Sequence, residues 1–159
     1  MPASKILIIG GGNAGLSVAA QLLMKDKTLA ISILDPSEKH YYQPAWTLVG
    51  AGIFDINKTI RNEKDLIPKG ANWIKDAAAT FQPDKNTVIG VSGTTYTYDV
   101  LIVCPGIQID WQKVKGLKET LGRNNVSCNY SFEHAPYTWE MIRNFKGGVR
   151  SEERRVGKE

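Results

Sequence analysis

No run of about 18 apolar residues occurs in the 159-residue chain, so the sequence holds no candidate transmembrane helix. Cysteine is scarce. Cys104 and Cys128 are the only two, and they stand too far apart for a CxxC redox pair or a zinc knuckle. No metal-ligand spacing is present either, so no metal site is expected. Positive charge is not concentrated: 20 Lys and Arg against 16 Asp and Glu leave a net +4, scattered along the chain. With no basic stripe and no nucleic-acid module, nucleic acid is not expected as a partner. A diffuse excess with a pI near 9.0 suits an anionic cofactor or an anionic membrane surface without choosing between them. There is no internal repeat. Met1 to Lys5 run straight into a strand, which leaves no room for a signal peptide or an Arg-rich transit peptide.

What is there is ordinary for a folded domain: 42% hydrophobic and 23% charged residues, in a length that fits one domain or one domain with part of another. Lys5-Ile-Leu-Ile-Ile9 is apolar on every side, as a strand covered on both faces of a parallel sheet must be. Asn13 to Lys25 carries Leu16, Ala19, Ala20 and Leu23 at helical spacing. A second apolar run, Leu29 to Leu34, ends at Asp35-Pro36. Strand, glycine turn, helix and strand fit into about 30 residues, the size of one βαβ unit.

The middle is less regular. Tyr41 to Gly52 predicts an ordered loop or short helix, and Asn57 to Leu66 a short helix stopped by Pro68. Asn72–Lys75, Ala77–Phe81, Val88–Val91 and Thr94–Thr97 read as extended, with turn chemistry at Pro83-Asp-Lys-Asn86. Together they predict an antiparallel meander laid across one face of the main sheet. Tyr98 to Val103 predicts a further buried strand, closed by Cys104-Pro105-Gly106, and Ala135 to Phe145 a helix. The fold class is therefore α/β, with a parallel sheet, crossover helix and antiparallel β-meander. Residues 150–159 have the composition of a solvated tail, resemble the translation of a sequencing-adapter oligonucleotide, and are read as non-native.

The chemistry lies in Gly10-Gly11-Gly12-Asn13-Ala14-Gly15, which contains GxGxxG. Alone the pattern is weak. Here it follows a buried strand, opens a helix, and is followed by an acid 20 positions after Gly15. Gly10 permits the tight turn, Gly12 lets backbone approach a pyrophosphate, and Gly15 lets the helix pack closely on the strand. Free N–H groups of Asn13 and Ala14 and the positive helix end would face the phosphates. Asp35, followed by Pro36, would accept hydrogen bonds from a ribose hydroxyl pair. The plainer alternative is a glycine turn with a surface Asp.

FAD and NAD share adenosine diphosphate, so the glycines do not separate them. Thr97-Tyr-Asp-Val-Leu-Ile-Val-Cys-Pro-Gly106 resembles the second signature of two-dinucleotide flavoprotein reductases, in which the turn passes the flavin's pyrophosphate region. Cys104 stands where that family has a small residue, and is expected as a fully buried space-filler and poor nucleophile. The run Asp35-Pro-Ser-Glu-Lys-His-Tyr-Tyr-Gln-Pro-Ala-Trp-Thr-Leu-Val-Gly-Ala-Gly52 resembles sulfide:quinone oxidoreductase, in the branch that includes the mitochondrial enzyme. Asn72-Trp-Ile-Lys75, Pro83-Asp-Lys-Asn86, Gly106-Ile-Gln-Ile-Asp110, Lys115-Gly-Leu117 and Asn129-Tyr-Ser131 extend the resemblance over most of Lys5 to Gly148.

That resemblance implies a Rossmann-type FAD/NAD(P)-binding domain, truncated, with its first part in residues 1–116 and residues 117–149 as a connection and helix leading into a second dinucleotide-binding-like domain. It also implies FAD as cofactor, sulfide and quinone as substrates, and a protein peripheral to a membrane through carboxyl-terminal segments. The membrane would be the mitochondrial inner membrane in a eukaryote or the cytoplasmic membrane in a bacterium, and the missing leader favours the bacterium. It implies Gln43, Pro44 and Trp46 near the isoalloxazine, and the backbone around Ala78 near the adenine. In the family, sulfide attacks a cysteine disulfide or trisulfide, because sulfur exchange needs a thiolate and a sulfur leaving group. Both redox cysteines lie beyond residue 149, and Cys128 is not one of them. Tyr41, Tyr42 and Trp46 have ordinary core packing as an equal reading. His40 and His134 read as hydrogen-bonded surface residues without function. Two other readings stay open: a type II NADH:quinone dehydrogenase-like flavoprotein, which needs a second glycine fingerprint, and a non-catalytic nucleotide-binding fragment.

Overall fold

The structure, a computed structural model, describes residues 5–148. The tail read at Arg150–Glu159 lies outside them. In chain order the strands and helices are β1 (Lys5–Ile9), α1 (Asn13–Lys25), β2 (Ala30–Leu34), β3 (Lys39–Tyr41), α2 (Trp46–Gly50) and β4 (Ile60–Asn62). Then follow β5 (Ala71–Ile74), β6 (Ala78–Gln82), β7 (Thr87–Gly90), β8 (Thr95–Thr97), β9 (Val100–Val103), α3 (Leu117–Thr120) and α4 (Ala135–Asn144).

Four strands form a parallel sheet in the order β5-β2-β1-β9. The apolar run of β1 works on both faces, because successive side chains alternate across a strand. Ile6 and Ile8 point with Ile31 and Ile33 to Ala19 and Leu23 of α1. Leu7 and Ile9 point with Leu34 to Val88 and Tyr98 of the meander. A strand with one polar face could not do this, so the run without alternation marks the centre of a three-layer sandwich.

The meander β6-β7-β8 is antiparallel, as its turn chemistry predicts. Asn86 closes the first turn in the left-handed region at φ 48°, which Asn tolerates better than most residues. Asp76 pins the meander to the sheet. Its carboxylate accepts from the Ala77 N–H, the Ser92 hydroxyl and the Tyr96 hydroxyl at 2.8, 2.6 and 2.8 Å. These donors, the Ser92 hydroxyl foremost, hold its carboxyl below the usual carboxylate range.

Three expectations need correction. Asn57–Leu66 is not one helix: 3-10 turns at Ile56–Thr59 and Glu63–Asp65 flank β4, which pairs antiparallel with β3. That ladder takes up the backbone groups a helix would have used. The strand at Asn72–Lys75 is not in the meander. It forms the outer strand β5 of the parallel sheet, reached by a crossover from β2. The strand at Tyr98–Val103 is not fully buried either: β9 pairs with β1 on one side, and Val100 and Val103 are half exposed.

The chain after Gly116 folds back on this unit. Ala135 of α4 packs with Trp46 and Val49 of α2 and with Phe132. Gly52 faces the Trp139 ring so closely that a Cβ there would collide with it. The chain after Gly116 is thus docked against α2 and the turn that follows it.

Ile33 is fully buried between β1 and α1. Ile33→Ala is expected to lower stability by about 2–5 kcal/mol, read from the midpoint of urea unfolding at unchanged slope.

Candidate functional site

The carboxyl ends of β1, β2, β5 and β9 meet at one rim of the sheet, where open α/β sheets place their ligands. Backbone hydrogen bonds lace the rim together. The Gly10 N–H donates to the Leu34 carbonyl at 2.9 Å, the Asp35 N–H to Ile74 at 3.1 Å, and the Cys104 N–H to Ile9 at 2.8 Å. The glycine turn, Asp35 and Cys104-Pro105-Gly106 are therefore brought together, as their motifs predict.

Each glycine has its own reason. Gly10 turns the chain at φ +98°, and a Cβ there would strike the Cys104 carbonyl. A Cβ on Gly15 would strike the Gly10 carbonyl, so α1 can lie this close to β1 only without a side chain. Gly12 faces open space, with nothing within 4 Å of where its Cβ would be. It is the N-cap of α1 and has no side-chain capping bond. The first-turn N–H groups around Asn13 and Ala14 are thus presented on an open side, where an anion can be held.

Asp35 is engaged with backbone. Its Oδ2 accepts from the Gly11 N–H at 2.5 Å and its Oδ1 from the Ser37 N–H at 2.7 Å. Each oxygen keeps a further lone pair, so a hydroxyl can still be accepted. Its carbonyl accepts from the Trp73 indole at 2.9 Å. Pro36 is exposed beside it. Ala78 opens β6 at a register irregularity, two residues past Asp76, and packs against the Leu7, Ile9 and Leu34 cluster.

Gln43 and Pro44 form a 3-10 turn entering α2. Gln43 and Trp46 share a cavity of about 220 Å³ with Ile107, Gln108, Trp111 and Tyr130, so this loop meets the segment following Gly106. Trp46 is buried, donates to the Thr59 hydroxyl at 3.1 Å, and packs edge-on against Tyr41 and Phe132. For Trp46 the packing reading holds as well as the cavity one. Tyr42 is exposed. Cys104 is only partly buried, not fully as expected, and Cys128 is likewise partly buried and free. His134 accepts or donates at 2.8 Å to Ser131 and stands apart from the rim.

His40 is the larger correction. It is 8% exposed, its Nδ1 lies 3.2 Å from Glu63 Oε2, and its Nε2 lies 3.0 Å from Asn13 Oδ1. Glu63 is 2% exposed, and the sequence reading of its segment as a short helix did not single it out. Burial pushes its carboxyl above the ordinary 4.5; His40 opposes this and the Asp35 carboxylate adds to it. No local signal could have paired residues 23 positions apart. Asp76 was missed for the same reason. No group of three His, Cys, Asp or Glu among the described residues could hold a metal ion.

The sequence profile of the pyridine nucleotide-disulphide oxidoreductase family matches residues 4–134. The mitochondrial sulfide:quinone oxidoreductase of Dictyostelium discoideum is 51% identical over 146 residues, covering 91% of this chain and 32% of that protein. The Mus musculus mitochondrial sulfide:quinone oxidoreductase is 38% identical over 144 residues, with the same two shares of 91% and 32%. The crystal structure of the Aquifex aeolicus sulfide:quinone oxidoreductase superposes with a TM-score of 0.70 at 25% identity, covering 89% of this chain and 32% of that one. The chain spans about a third of the length of the curated relatives it matches.

The two glycines at the helix start should respond oppositely. Gly15→Ala is expected to destabilise strongly, because backbone must move. Gly12→Ala should stay within about 1 kcal/mol of the parent, as a solvent-facing cap change does. Thermal midpoints of the two variants, compared side by side, check this.

Proposed function

We propose that this chain, which belongs to the pyridine nucleotide-disulphide oxidoreductase family, is the amino-terminal third of a sulfide:quinone oxidoreductase and carries the adenosine-diphosphate half of its FAD site. The observation that supports this most is the 51% identity to a mitochondrial sulfide:quinone oxidoreductase across 91% of the chain.

The residues present fit such a group. Gly12 leaves the approach to the first turn of α1 open, and that turn lacks a side-chain cap. In this reading Gly10, Gly12, Asn13, Ala14 and Gly15 hold the pyrophosphate. Asp35 and Pro36 line the ribose, and the backbone at Ala78 the adenine. Cys104, Pro105 and Gly106 lie along the inner phosphate and ribityl chain, with Gln43 and Pro44 toward the flavin ring. Held by these residues, FAD would supply two-electron redox chemistry between the sulfur centre and quinone. This chain's own work is to bind and orient: amide donors and the helix dipole balance the diphosphate charge. Shape does the rest, through backbone approaches that only glycine allows.

The catalytic cysteines are proposed to lie beyond residue 149, and Cys128 has no assigned role. No helix among the described residues is long and apolar enough to cross a membrane. Attachment to a membrane surface is assigned to segments outside this chain. The relatives named as mitochondrial enzymes support a mitochondrial setting, and with it the inner membrane, for the full-length protein.

The full-length protein is expected to purify yellow and to reduce a quinone with sulfide as donor. Residues 1–159 alone should bind FAD weakly and turn nothing over. A colourless full-length protein would overturn the reading, and reduction driven by NADH but not by sulfide would place it with type II dehydrogenases. Gly12→Val in the full-length protein should weaken FAD binding at least about tenfold, equivalent to about 1.4 kcal/mol, measured by flavin fluorescence.

A further inference from the structure

We propose that Glu63 and His40 form a positioning pair behind the glycine turn, orienting Asn13 and retaining a proton that couples dinucleotide binding to pH. The inference rests on the dinucleotide reading above and adds to it a role for two residues outside the fingerprint.

The Asn13 amide presents its Oδ1, which only accepts, to His40 Nε2 at 3.0 Å, and in that orientation Nε2 carries hydrogen. The other ring nitrogen, Nδ1, then faces Glu63 Oε2 at 3.2 Å. A neutral ring with an ionised Glu63 would set a lone pair against a carboxylate. The contact is favourable when one proton lies between them, either as imidazolium with carboxylate or as imidazole accepting from a carboxylic acid. Both side chains are more than nine-tenths buried, so water screens the unprotonated arrangement poorly.

The pair sits directly behind the turn. A Cβ on Gly11 would come 2.5 Å from Glu63 Oε1 and 3.1 Å from the Asp35 side chain. That Oε1 is sealed from solvent and has no hydrogen-bond partner. Glu63 Oε1 thus lies beneath the backbone that would carry a diphosphate, and the pair bears net negative charge there once its proton is lost. The charged groups around the pair are Asp35 at the end of β2, Arg61 opposite His40 in the β3–β4 ladder, and Lys58 on the cavity wall shared with His40 and Asn13. The start of α1 faces it through Asn13. Arg61 and Lys58 are exposed, and water screens them more than it screens the buried acid.

A diphosphate bound at the start of α1 brings negative charge to the far side of the same turn. It favours the state with the proton on the pair, and by linkage the proton favours the diphosphate. Free protein then releases the proton at lower pH than bound protein. Between those two pH values affinity falls as pH rises, by at most tenfold per unit for one proton.

The test uses full-length protein stripped of flavin and titrated with FAD, following flavin fluorescence, between about pH 6 and about pH 9, a range that spans ordinary imidazole titration. Calorimetry in two buffers of different ionisation heat counts the protons taken up. The wild type is expected to show a Kd that rises with pH over part of the range, with net proton uptake on binding. Glu63→Gln and His40→Asn should each bind FAD with a flatter profile and less uptake. Wild-type binding with a flat profile and no proton uptake overturns this inference and leaves the cofactor reading intact. So does a Glu63→Gln profile identical to that of the wild type. Failure of the full-length wild type to bind FAD at any pH removes both. The wild-type calorimetry decides the matter even if neither variant folds.

Discussion

The crowding around Gly10 is the constraint on which the rest of the rim depends. Three backbones meet there with no room for a side chain: the end of β1, the first turn of α1 at Gly15, and the Cys104 carbonyl after β9. Dispersion and hydrogen bonding at such close approach are favourable only if the two glycines stay glycine. Their combined effect is to bring the start of α1 to the sheet edge, pointing its free N–H groups outward beside Asp35. Asp35 completes the fastening by accepting from Gly11. A glycine motif thus acts as packing chemistry first, and the open side at Gly12 follows from it.

Around that rim the chain divides labour by burial. The α1 side and the meander side of the sheet are apolar and closed, each supplied by alternate residues of β1 and β2. The polar groups that are buried sit at the joins: Asp76 between sheet and meander, and Glu63 with His40 between the β3–β4 ladder and α1. Asp76 is saturated with donors. Glu63 is not, and an unpartnered buried oxygen is costly enough that it seldom persists without a reason. One carboxylate fastens two layers, and the other keeps an unpartnered oxygen behind the glycine turn.

The loop from β3 to α2 links the rim to the connecting segment. Trp46 is anchored by Thr59 and by the Tyr41 and Phe132 rings, and α4 closes over α2 through Ala135. This fixes Gln43 at one wall of the small cavity beside Ile107 and Gln108. In the proposed full-length enzyme, that wall is where an electron-carrying ring would lie next to the parts of the protein outside this chain.

Local pattern was enough for much of this. The unbroken apolar run of Lys5–Ile9, the helical spacing of Asn13–Lys25 and the Pro83–Asn86 turn each state a conformation in a few consecutive residues, and each is found within a residue or two. The fingerprint was legible for the same reason: GxGxxG, the helix start and Asp35 are one contiguous βαβ unit. Tertiary structure alone decided where Ala71–Ile74 pairs, since an extended segment carries no label for its partner. It also decided that Ile60–Asn62 forms a strand, because the competing helix lost its backbone partners to Lys39–Tyr41. Above all it decided the burial of His40 and Glu63. Their chemistry comes from a contact across 23 residues and from the exclusion of water, and neither distance nor dielectric is written in the order of the amino acids.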